Sequence, residues 1–142
     1  MILIDANLLL YAYNSRAAEH DRARAWLEDA LSGTQLVRFA WLTLWAFLRI
    51  ATSPRVFEHP LSMAEADTIV SSWLERPHAG ILDPGERHWE IARRLLRSGQ
   101  AAGPLVMDAA LAAIAIEHGA TLYSTDRDFA RFDELSWKNP LG

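Results

Sequence analysis

Short apolar runs alternate with helix-length patterns along the whole chain. That alternation restricts the fold to an α/β class with a mostly parallel sheet and helices on both of its faces. Met1 to Ile4, Gln35 to Phe39, Ala79 to Leu82 and Ala120 to Tyr123 read as short strands, and Phe132 to Trp137 as a final one. Helical patterns fill the intervals: Leu8 to Tyr13, Glu19 to Leu31, Ala40 to Thr52, Ser62 to Arg76, Arg87 to Arg97 and Leu105 to Glu117. Ser62 is placed to cap the fourth of these, with Glu65 completing a capping box. Gly119 ends the last at a position that favours a left-handed residue. With 142 residues the expectation is one domain over 1–142, a three-layer α/β/α arrangement burying roughly two-thirds of its unfolded surface.

Composition removes several classes of function. There is no cysteine, which excludes disulfides and thiolate chemistry and fits a reducing cytoplasm. No apolar run approaches the ~20 residues of a membrane span, and no basic leader precedes the first strand, so a cytoplasmic protein is expected. The net charge of −4 argues against coating nucleic acid by bulk charge. It is compatible with a nuclease, because a cluster of metal-binding carboxylates shifts the balance by itself. The cations are almost all arginine, Lys138 being the sole lysine, and arginine suits bidentate phosphate contacts. The arginines of the fifth helix, Arg87, Arg93, Arg94 and Arg97, read as a solvated face. There is no phosphate-cradling glycine loop, no G-x-S-x-G turn, and no zinc-ligand spacing among the five histidines.

Three acids stand out by position. Asp5 follows the first strand and precedes a helix, Asp108 lies in the first turn of the Leu105 helix, and Asp126 follows the Ala120 strand. Each alone is explained as a cap or turn residue. Together they fall on the edge where open α/β sheets gather ligands, and carboxylates crowded there are pushed towards protonation unless a cation holds them. Hard oxygen donors of this kind suit Mg²⁺ or Mn²⁺. Asp128 reads as a local capping residue, at N3 of a turn capped by Thr125. On the third helix Trp41, Trp45 and Leu48 have core-like spacing, and Arg49 is a lone cation expected to find a carboxylate or carbonyl partner.

Four motifs in order carry a family resemblance: I-D-A-N at Ile4 to Asn7, F-L-R at Phe47 to Arg49, V-M-D-A-A-L-A-A from Val106, and S-T-D-R-D-F from Ser124. Over nearly its full length the chain resembles the PIN domain, and more narrowly the VapC toxins of type II toxin–antitoxin pairs. T-S-P-R-V-F at Thr52 to Phe57 and the closing W-K-N-P-L are similar to those toxins too. The resemblance implies an Mg²⁺- or Mn²⁺-dependent endoribonuclease, often a homodimer, neutralised by a VapB-like antitoxin. Asp5, Asp108 and Asp126 match the family's metal-site acids, with Asn7, Arg49, Ser124, Thr125 and Asp128 in supporting places. In one respect the chain departs from the pattern: Ala46 stands where many members carry a glutamate.

That departure keeps a second reading open, a non-catalytic PIN-like module that binds RNA or a partner through a depleted acidic site. A phospho-acceptor domain using Asp5 or Asp83 lacks the lysine such chemistry needs nearby. The same resemblance implies an antitoxin that lays an amphipathic segment into an apolar groove. Trp41, Trp45 and Trp73 are candidates for such a groove, with plain core packing as the alternative.

Overall fold

A computed structural model describes residues 1–142. Five parallel strands form one sheet in the order β3-β2-β1-β4-β5: β1 Ile2–Ile4, β2 Val37–Phe39, β3 Ala79–Ile81, β4 Thr121–Tyr123 and β5 Trp137–Lys138. The first strand sits centrally, with Ile2 opposite both Val37 and Thr121. Its side chains alternate across the sheet as a strand must: Leu3 joins one core, Ile2 and Ile4 the other. On the Leu3 side lie α5 (His88–Ser98) and α6 (Leu105–His118). On the opposite side lie α1 (Ala6–Tyr13), α2 (His20–Ser32), α3 (Trp41–Ala51) and α4 (Met63–Leu74). The result is the expected three-layer arrangement, with every strand pairing parallel. No helix is long and apolar enough to cross a membrane.

Helix ends follow local chemistry. Ser62 caps α4 by accepting from Glu65 N at 3.1 Å, and the Glu65 side chain accepts from Ser62 N at 2.9 Å. Gly119 closes α6 with φ 68°, where a Cβ is disfavoured. Gly119→Ala is therefore expected to cost about 1 kcal/mol, read as a lowered urea midpoint. Just before it, the Glu117 carboxylate accepts from Gly85 N at 2.8 Å and Arg87 N at 3.0 Å. This ties the end of α6 to the start of α5, so the two helices run antiparallel.

Three expectations need correction. The final strand is Trp137–Lys138, not Phe132 to Trp137, because Phe132 turns into the core beside Phe129 and closes a 3-10 helix over Arg127–Arg131. On α3 the buried stripe is Thr43, Leu44, Phe47 and Ala51, which leaves Trp41 46% and Trp45 64% exposed, stacked on each other at 6.2 Å. Periodic spacing identifies a helix face without saying which face turns inward. Arg49, one turn beyond Trp45, shares this exposed face and makes no ion pair; open to water, it needs none. Trp73 is core, stacked on Phe39 at 5.6 Å and edge-on to Phe47 at 4.9 Å.

Candidate active site

The carboxyl ends of β1 and β4, neighbours in the sheet, deliver the site. Asp5 follows β1 directly and caps α1, its Oδ1 accepting from Ala6 N at 2.8 Å. Ser124 follows β4 and is fully buried. Its hydroxyl donates to Asp5 Oδ2 at 2.7 Å and accepts from Asn7 Nδ2 at 3.1 Å and Asp126 N at 3.0 Å. A serine hydroxyl has one proton and two lone pairs, so all three are committed. The Ser124 proton goes to Asp5, so Asn7 must present its NH₂ to Ser124. The Asn7 Oδ1 is thereby left buried and without a partner.

Asp126, not Thr125, caps the 3-10 helix, its Oδ1 accepting from Asp128 N at 2.9 Å. That tight turn brings Asp128 round beside Asp126. Asp108 approaches from the first turn of α6. Carboxylate oxygens of Asp108, Asp126 and Asp128 all lie within 4.8 Å of one another. Asp128 thus has more than the local role its spacing suggests. Arg131, which sequence reasoning did not single out, reaches Asp128 Oδ1 at 3.9 Å and donates to Gly99 O at 2.8 Å. Arg49 and Thr125 make no side-chain hydrogen bond to any of these acids.

The crowding has an electrostatic cost. The Asp108 pKa is pushed up to about 6, first by loss of solvent, then by Asp126, Asp5 and Asp128, with Arg131 offsetting only part. Burial also raises Asp5, against the lowering effect of its bonds from Ser124 and Ala6. An acid raised in the folded state binds its proton more tightly there than in the unfolded chain. Its contribution to metal-free stability therefore falls as pH rises from about 4 through 6. The difference in melting temperature between Asp108→Asn and the unsubstituted protein is expected to widen over that interval in chelator, and thermal melts at stepped pH measure it.

The donor set suits a hard divalent cation: three clustered carboxylates, a fourth at Asp5, and one weakly placed cation beside Asp128. Nitrogen and sulfur donors are absent from the cluster.

The chain belongs to the PIN-domain family, whose sequence profile matches residues 2–135. Among its relatives are ribonuclease VapC37 of Mycobacterium tuberculosis, 44% identical over 140 residues covering 99% of this chain and 97% of that protein. Ribonuclease VapC33 of the same species is 44% identical over 141 residues, 99% of each. In structure the fold is similar to VapBC-1 from nontypeable Haemophilus influenzae (TM-score 0.69, 18% identity, 100% of both chains). It is also similar to Mycobacterium tuberculosis VapC20 (TM-score 0.67, 20% identity, 92% of this chain and 93% of that one).

Proposed function

We propose that the chain is the toxin of a type II toxin–antitoxin pair, an endoribonuclease that hydrolyses RNA phosphodiester bonds with a divalent metal ion, Mg²⁺ or Mn²⁺. The observation that carries this is the cluster of Asp108, Asp126 and Asp128, three carboxylates within 4.8 Å of one another with the Asp108 pKa raised to about 6. Full-length similarity to relatives named as ribonucleases supports the reaction class.

Asp5, Asp108 and Asp126 are the residues assigned to hold the ion, with Asp128 as an additional donor. Held there, a divalent ion would lower the pKa of a water molecule and offset charge developing on the phosphate. The chain's own part is placement. Ser124 fixes Asp5 Oδ2 and the Asp126 backbone together, so acids from two strands keep one spacing. Asn7 holds the Ser124 hydroxyl in place through its Nδ2, at 3.1 Å. Asp108 loses its proton readily enough at neutral pH to serve as an anionic donor.

Asp128 also bears on the second reading, a non-catalytic module with a depleted site. It supplies a carboxylate to the cluster although Ala46 does not. A VapB-like antitoxin is the proposed partner and a homodimer the proposed assembly. The test is cleavage of a mixed RNA pool by the purified protein in Mg²⁺, in Mn²⁺ and in chelator. Cutting confined to the metal-containing samples is expected; equal cutting in chelator, or none in any sample, would remove the proposal.

A further inference from the structure

A second charged feature lies on α5, outside the acidic cluster. The outer face of α5 carries Glu90, Arg93, Arg94, Arg97 and Ser98 side by side. The three arginines are not equivalent. Arg94 is held by Glu134 through a fork of two 2.8 Å hydrogen bonds. Arg93 and Arg97, one turn apart, are exposed and have no ion pair. A cation in the last turn, such as Arg97, is favoured by the helix dipole. Arg93 lies a turn earlier, where that effect fades.

The placement gives this face of α5 a direction. Two residues beyond Arg97, the Gly99 carbonyl accepts from Arg131 Nη1 at 2.8 Å, and Arg131 Nε donates to Asp128 O at 3.2 Å. One arginine therefore joins the carboxyl end of α5 to the helical turn that carries Asp128. Arg127, on that same turn, is exposed as well. A cationic strip thus runs from Arg93 through Arg97 towards the acidic cluster, on a chain whose net charge is −4.

We infer that Arg93 and Arg97 form a phosphate-binding track for the RNA backbone flanking the scissile bond. This rests on the nuclease reading, and goes beyond it by assigning where the substrate strand lies. Guanidinium groups not held in ion pairs displace counterions from a polyanion on binding, which makes affinity salt-dependent in proportion to the number of phosphates engaged. Contacts made equally in ground and transition states change KM and leave kcat alone.

The experiment compares unsubstituted protein, the double variant Arg93→Gln/Arg97→Gln, and Arg94→Gln as a control already engaged by Glu134. Binding of a fluorescein-labelled mixed-sequence single-stranded oligoribonucleotide is followed in chelator from low to moderate salt. Cleavage of the RNA pool is followed with Mg²⁺. The double variant is expected to flatten the slope of log K against log salt by about 1.4, two contacts at ~0.7 each. Its KM is expected to rise several-fold at unchanged kcat, while Arg94→Gln stays near the unsubstituted protein. Unchanged slope and KM in a protein that does bind and cut RNA overturn the track and leave the nuclease intact. A double variant that alters oligomeric state by sedimentation but not RNA binding also overturns it, marking a protein contact instead. An unsubstituted protein that neither binds nor cuts RNA removes the nuclease reading and the track with it.

Discussion

Asp108→Asn is expected to lower metal-dependent RNA cleavage by orders of magnitude while the metal-free protein becomes more stable. Both halves come from one source. The carboxylate is desolvated and then crowded by Asp126, Asp5 and Asp128, and its removal relieves a burial and repulsion cost that only a bound cation otherwise offsets. The stability gain at neutral pH is on the order of 1 kcal/mol, well below the full shift because the side chain is only partly buried. The activity loss is about 10²–10⁴-fold, the scale of the several kcal/mol that metal-assisted charge stabilisation supplies. A residue that merely supported the fold would show the opposite pairing, lower stability with activity falling in step. Urea unfolding in chelator and initial cleavage rates in Mg²⁺, on the same preparations, read the two halves.

Ser124→Ala is expected to damage both stability and metal binding. The substitution removes a donor to Asp5 and an acceptor for Asn7 and for the Asp126 backbone in a fully buried position. Leaving such groups unpaired costs roughly 2–4 kcal/mol in total, more than a typical surface change. Asp5 is already raised by burial, and loss of its Ser124 bond raises it further, so the ion competes with a more tightly held proton. Outer-shell substitutions of this type lower metal affinity by about 10–100-fold. A shifted urea midpoint with a weakened Mn²⁺ affinity is the expected pair of results. A midpoint unchanged within error would mean that the three hydrogen bonds do not carry the weight assigned to them.

The elements were readable because their signals are local. Alternating apolar runs predict strands, and the Ser62–Glu65 box and Gly119 mark helix ends through bonds made within a few residues. The positions of Asp5, Asp108 and Asp126 were readable because strand and helix ends in a parallel sheet converge on one edge. What resisted reading depends on direction in space. The spacing of Trp41 and Trp45 defines a stripe, but only the packing of Leu44, Phe47 and Ala51 against α1 and α4 decides that the stripe faces out. Asp128 has the sequence signature of a capping residue, and only the turn made by Asp126 brings its carboxylate to Asp108. Ser124 joins residues 119 and 117 positions away, contacts that no local pattern encodes.

The most direct test of the account is a calorimetric titration of Mn²⁺ into the metal-free protein and into Asp108→Asn at neutral pH, with no RNA present. A saturable site in the unsubstituted protein that is lost in the variant is the predicted result, and it places the ion at the acidic cluster independently of any cleavage assay. Equal affinity in both proteins, or no saturable binding in either, would contradict a function built on metal held by these carboxylates.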